Sequence, residues 1–159
     1  MKKAATYHRY QLLQLLDVRH HELRAWLDLE PLASRTTKSR SATDYSILDA
    51  LFLMVIKKLT AAGFPPKSLK KFSQAIYESL QKSLQQGVTD EIHLYQGMEG
   101  QWLTGTAPSG QDCVQIIVPI RQARIDVYEY TGAHLINPQG EMALLASMLD
   151  TKPPKEAAG

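Results

Sequence analysis

The stretch RHHELRAWL, residues 19–27, contains the residues whose types and spacing come nearest to a reactive site: two adjacent histidines followed by a glutamate. A zinc hydrolase uses the pattern His-Glu-x-x-His, in which both histidines bind the metal from one face of a helix. Here Ala25 stands where the second histidine is required. His20 and His21 are neighbours, so they diverge by about 100° around a helix. We therefore expect no metal site at this stretch.

Other catalytic patterns are also missing from the sequence. It contains no glycine-rich phosphate loop and no Gly-x-Ser-x-Gly, and the acidic residues Asp112, Asp126 and Glu129 have no spacing that argues for a particular reaction. Cys113 is the single cysteine, which excludes an intramolecular disulfide. We expect it to be buried in a strand, CVQIIV. The sequence predicts neither an enzyme nor a cofactor.

The same stretch can also be a DNA-reading helix. Leu23, Trp26 and Leu27 recur at i, i+3 and i+4, which predicts one buried helical face. The polar donors then remain on the first turn and a half, where a recognition helix meets base edges in the major groove. These donors are Arg19, His20, His21 and Arg24. The alternative is that they are ordinary solvated surface residues.

Charge is divided unevenly along the chain, although the net charge is only +2. Residues 1–86 hold 14 Lys and Arg against 7 Asp and Glu, whereas residues 87–159 hold 4 against 9. The net charge of residues 1–86 is therefore +7, and that of residues 87–159 is −5. A basic first part indicates contact with a polyanion, which charge alone does not name.

The elements that would position this helix follow from periodicity and capping. Residues 10–16 predict a helix, Asp17-Val18 breaks it, and residues 19–27 predict a second, which is helix-turn-helix spacing. Residues 30–46 lack an apolar period and predict a loop or a small β-wing. Ser46 with Asp49 predicts the cap of a third helix that ends at Gly63. Pro65-Pro66 predicts the start of a fourth, which ends at Gln86-Gly87.

The rest of the chain has the pattern of a small α+β unit. EIHLYQG and QWLTGT predict a hairpin, and CVQIIVPI a third strand. Residues 121–131 fit either a helix or a strand, with the helix favoured, and residues 140–149 predict a short helix. The predicted fold class is thus α+β, with a four-helix winged helix-turn-helix followed by antiparallel strands. The predicted domains are residues 1–86 and 87–151, with a tail at 152–159.

Residues 7 to 80 resemble the winged-helix DNA-binding domain of MerR-type transcription regulators. The resemblance is carried by Val18 after the turn, Leu23-Arg24 and Trp26 in the second helix, Arg35 and Arg40 in the wing, YSILD (45–49) and LTAAGFPPKSL (59–69). The chain departs from the family at Ala25, where an aromatic residue is usual, and at Asp17, where a glycine is common.

The resemblance implies a transcription regulator that acts as a dimer on an inverted repeat at the nucleoid. No apolar run approaches the roughly 18 residues that a membrane span needs, and residues 1–11 lack the apolar core of a signal peptide, so we expect a cytoplasmic protein. Its partners would be double-stranded DNA, a second copy and RNA polymerase, with no membrane. The second helix would supply Arg19, His20, His21 and Arg24. A basic wing would grip the DNA backbone through Arg35, Thr36, Thr37, Lys38 and Arg40, and Tyr45 would contact a phosphate at its end.

Other interpretations stay open. Excisionase-like or architectural proteins use a related winged domain to bend DNA. The aromatics Tyr95, Trp102, Tyr128 and Tyr130 could line an effector pocket, or they could be core residues. The lysines at 57, 58, 67, 70 and 71 predict a solvated face, with Lys67 or Lys70 as a secondary phosphate contact.

Overall fold

A computed structural model describes residues 6–38, 44–87 and 90–134. Its elements are α1 (Arg9–Leu16), α2 (His20–Leu27), α3 (Leu32–Lys38), α4 (Ile47–Ala61), α5 (Pro66–Gln86), β1 (Glu91–Gln96), β2 (Trp102–Thr104), β3 (Gln115–Pro119) and α6 (Arg121–His134). The predicted α+β class is confirmed, as six helices and a three-stranded antiparallel sheet. The helix predicted at 140–149 and the tail lie outside the described residues.

Local signals fix the ends of α4 and α5 as the sequence predicts. Ser46 Oγ accepts a bond from the Asp49 amide at 3.1 Å, and Asp49 Oδ2 accepts one from the Ser46 amide at 2.9 Å. Gly63 ends α4 with φ +102°, a value that favours glycine, and the Phe64 amide donates back to the Leu59 carbonyl. Pro66 then opens α5, where a missing N–H costs nothing.

The prediction of a loop or β-wing after α2 is wrong for residues 32–38, which form α3. The Ala33 amide donates to the Leu29 carbonyl at 3.0 Å, which continues the chain from α2 into α3. Leu32 is fully buried and anchors the helix to the core. A single buried leucine leaves no apolar period in the sequence, which is why the pattern gave no sign of a helix. The β-contact near this segment is one antiparallel bridge between Tyr7 and Tyr45.

The sheet has the strand order β2-β1-β3, with both neighbours antiparallel to β1. Ile92, Leu94 and Val118 are buried on its inner face. The ring of Trp102 meets that of Phe72 edge-on, with 4.8 Å between centroids, and so seats the sheet on α5. The predicted hairpin is confirmed.

Helix α6 resolves the ambiguity at 121–131 in favour of the helix. It packs on α4 and α1, and Ile120, Ala123 and Val127 are buried there. The buried apolar residues on both sides of position 86/87 form one continuous core. The helices and the sheet therefore hold each other in place.

Cys113 differs from the prediction. It lies in the loop before β3 and is half-buried, because strand pairing begins only at Gln115. Within residues 6–38, 44–87 and 90–134, no helix is both long and apolar enough to span a membrane.

Candidate nucleic-acid interface

A three-residue turn joins α1 to α2. Asp17 adopts the left-handed conformation with φ 53° and ψ 53°, and the Val18 amide reaches back to the Leu13 carbonyl at 3.4 Å. Aspartate tolerates this conformation better than most residues, so it can stand where a glycine is common. Arg19 starts α2, and its amide donates to Glu22 Oε2 at 3.3 Å. The predicted tight turn between two helices is confirmed.

Helix α2 has one buried and one exposed face. Leu23, Trp26 and Leu27 are buried, with Leu23 at 0% exposure, as their spacing predicts. The side chains of the four candidate residues, Arg19, His20, His21 and Arg24, are exposed; together they are called the α2 basic face. Asp28, at the C-terminal end of α2, is exposed as well. Charges of both signs lie along α2, since the acidic Glu22 is in its first turn and Arg24 is in its last.

A lysine of α5 lies beside α2. Lys70 and Ala25 line the same cavity of about 250 Å³, together with Asp28, Phe64 and Leu69. Lys67, Lys70 and Lys71 are all exposed on the first turns of α5. The small side chain of Ala25 leaves this cavity open, and Lys70 adds a cation at its edge. The position of Lys70 next to α2 thus favours the prediction that it contacts a phosphate.

Arg35 faces the protein. Its Nη2 lies 2.7 Å from Asp49 Oδ2, and the Asp49 side chain is only 1% exposed. Asp49 Oδ1 accepts a further bond from the Tyr77 hydroxyl at 2.7 Å. A buried carboxylate requires such partners, so this cluster joins α3, α4 and α5. Arg35 is consequently held as a structural link between helices.

The other residues predicted for the wing have different positions. Thr36, Thr37 and Lys38 form the last residues of α3, and only their backbone is described. Arg40 lies outside the described residues. No grip of these residues on DNA is therefore defined by the structure.

Tyr45 is buried, with 4% exposure, and is held by backbone bonds to Tyr7. Burial raises the pKa of Tyr45, although the charges of Arg9 and Arg35 act to lower it. The phosphate contact predicted for Tyr45 does not fit a side chain in this position. Arg9, which was not among the predicted contacts, is exposed at the start of α1 and close enough to act on Tyr45.

Two of the lysines expected on a solvated face bond to backbone carbonyls; Lys57 is half-buried, whereas Lys58 is exposed as expected. Lys57 Nζ donates to the Leu16 carbonyl, which fixes the C-terminal end of α1 to α4. Lys58 Nζ donates to the Pro119 carbonyl at 2.9 Å and joins α4 to β3. Cations at a helix C-terminus are favourable, so the first bond also stabilises α1.

Two of the aromatics considered for an effector pocket take part in packing. Trp102 lies against Phe72 in the contact between α5 and the sheet. Tyr130 stacks on Tyr7 at 6.2 Å and donates its hydroxyl to Gln14 Oε1 at 2.7 Å, across α1 and α6. Both rings thus connect elements of the core.

Among the residues that the structure describes, no three His, Cys, Asp or Glu side chains are grouped so as to hold a metal ion. Comparisons of the chain with protein-family models, curated proteins and solved structures find no match. The chemistry of the α2 basic face must therefore be argued from its own geometry.

Proposed function

We propose that this protein is a sequence-specific DNA-binding transcription regulator that reads double-stranded DNA with α2. The observation that carries the proposal is the two-faced α2: Leu23, Trp26 and Leu27 fix it to the core, and the α2 basic face is left exposed after a tight turn. A helix held in this way can enter the major groove as a rigid body. The basic bias of residues 1–86 supports the same polyanionic partner.

The N-terminal part of a recognition helix is the part that contacts base edges. Arg19, His20 and His21 are exposed at that end of α2, and Arg24 follows in its last turn. The acidic Glu22 of the first turn is engaged with the Arg19 amide. His21 and Arg24 are then the candidates for base edges, because arginine binds guanine with two donors and imidazole can both donate and accept.

Phosphate contacts are assigned to a part of the residues that the sequence suggests. Arg35 is bound to Asp49, so we assign backbone contacts to Lys70, beside Ala25, and to Arg19 at the start of α2. Such contacts supply affinity and salt dependence, with no choice of sequence. In the cell this function implies binding at the nucleoid, with RNA polymerase as a proposed partner.

The test is a titration of labelled genomic fragments at two salt concentrations, with random duplex as competitor. A regulator retains binding to one upstream region in the presence of competitor. Arg24→Ala should weaken that specific binding by about 10- to 100-fold, since one bidentate base contact is worth about 1–3 kcal/mol. Its binding to random duplex should change little. Equal losses on both kinds of DNA would show that Arg24 touches phosphate only. Binding that never exceeds that of random DNA would favour the architectural, DNA-bending role instead.

A further inference from the structure

Strand β3 forms an open edge of the sheet. The Gln96 amide donates to the Val114 carbonyl at 2.9 Å, and the Ile120 amide donates to the Asp90 carbonyl at 2.8 Å. Because antiparallel pairing alternates, the even-numbered residues of β3 bond to β1. The backbone N–H and C=O groups of Gln115 and Ile117 therefore point away from the sheet.

This open edge has a defined end. Pro119 has no N–H, and its carbonyl accepts the bond from Lys58 Nζ, so pairing cannot continue past it. Within the described part of the chain, no strand pairs with this side of β3. Residues 113–120, CVQIIVPI, carry no charge. Proteins usually protect a free edge with proline, lysine or bulges, as Pro119 and Lys58 do at the C-terminal end of β3. Gln115 and Ile117 have no such protection, so this part of the edge is a site for pairing with another strand.

The apolar side chains of β3 are also exposed to solvent. Val114 is 59% exposed and Ile117 is 55% exposed, although they project from opposite faces of the strand. Ile116 is half-buried, and only Val118 is fully enclosed. By contrast, β2 is three residues long, and Lys82 Nζ donates to its Thr104 side chain at 3.0 Å. The edge of β3 is therefore the more open of the two.

We propose that β3 pairs with β3 of a second copy, antiparallel, about a two-fold axis at Ile116. Gln115 then lies opposite Ile117 of the partner in both directions, which forms four backbone hydrogen bonds and a sheet of order β2-β1-β3-β3-β1-β2. A second copy fits because the donors and acceptors are symmetric about Ile116 and because an uncharged edge does not repel itself. The need for two copies rests on the proposed function, whereas the edge geometry stands without it.

The contact is one short strand from each copy, which is small for a permanent dimer. We therefore expect a reversible dimer whose population rises with concentration. On DNA with two half-sites, the second copy would be held at high local concentration, and pairing would become complete.

The first test is sedimentation of the full chain over a concentration series. Gln115→Pro removes an N–H that points outward, and proline is tolerated at the start of an edge strand, so the β1–β3 pairing persists. It should weaken dimerisation by about tenfold or more through two lost hydrogen bonds, whereas Gln115→Ala keeps both. Ile117→Lys should also weaken the dimer, and its matched control, Leu103→Lys on the same sheet face in β2, should not. A wild-type monomer at every concentration overturns the proposal, and so does a dimer that survives both β3 variants.

The second test fixes the register. In a Cys113→Ser background, Ile116→Cys should form a disulfide across the axis on oxidation. Residues of a non-hydrogen-bonded pair have Cα atoms about 4.5 Å apart, within the range of roughly 4.4–6.8 Å that a disulfide spans. A dimer that does not cross-link overturns the axis at Ile116. Binding to random duplex should persist in Gln115→Pro, so a failure to bind DNA and a failure to dimerise are separate results.

Discussion

Replacing Arg35 with methionine separates a structural link from a DNA contact. The sequence places Arg35 in a DNA-gripping wing, whereas the structure places its Nη2 at 2.7 Å from the buried Asp49 Oδ2. Methionine keeps the apolar stem of the side chain and removes the guanidinium. The variant therefore tests the charge and its hydrogen bond with little change in packing.

The expected loss of stability follows from the hydrogen bonds that Asp49 retains. After the change, its carboxylate still accepts bonds from the Ser46 amide and the Tyr77 hydroxyl. A hydrogen bond to a charged group contributes about 1.5–3 kcal/mol. The Arg35 side chain is 44% exposed, so solvent screening reduces this to about 1–2 kcal/mol. In a chain of this size, each 1 kcal/mol lowers Tm by roughly 2–4 °C.

The assay combines thermal or urea unfolding with DNA titration well below Tm. Arg35→Met should lose stability while its DNA affinity and salt slope stay at wild-type values. Arg24→Met is the matched control, since it should lose specific affinity and keep its stability. If Arg35→Met kept full stability but bound DNA more weakly with a flatter salt slope, the role of Arg35 as a structural partner of Asp49 would be refuted.

Two further outcomes are expected. Lys70→Ala should lower affinity on all sequences and flatten the slope of log K against log salt by about 0.9 if it removes one phosphate contact; Lys82→Ala, on the same helix, is its control, and an unchanged slope would remove Lys70 from the interface. Burial, and then the hydrogen bond to Asp49, raise the pKa of Tyr77 from 10.0 to about 12. The folded state thus keeps a proton that the unfolded state loses, so stability that is complete below pH 10 declines as the pH rises toward 12. Urea unfolding at several alkaline pH values should show a smaller decline in Tyr77→Phe, and an equal decline in both proteins would contradict the role of Tyr77.

Signals confined to a few neighbouring residues predicted most of the fold. Ser46 with Asp49, Gly63 and Pro66 each act on backbone groups within one helical turn, so their effects could be read directly from the sequence. The spacing of Leu23, Trp26 and Leu27 likewise predicted which face of α2 is buried. These features depend on local geometry, which is the same in every protein.

Contacts between distant residues account for what was missed. Helix α3 depends on the burial of Leu32 and on the bond from Arg35 to Asp49, a residue in another helix. Arg35 was predicted to contact the DNA backbone from its charge and Tyr45 to contact a phosphate from its place in the family pattern, because the sequence does not show their neighbours in the fold. Lys57 was predicted on a solvated face and is half-buried for the same reason, since its Nζ bonds to a carbonyl 41 positions away.

The most direct test of DNA reading by α2 is an NMR titration of the isotope-labelled chain with a short duplex that carries a single half-site. The amide chemical shifts of residues 19–24 should change most, followed by those around Lys70. The amide shifts of β1–β3 and α6 should stay unchanged. The largest changes should weaken in Arg24→Ala. Shifts centred on the sheet or on α6, with α2 unchanged, would contradict the proposal that α2 reads DNA.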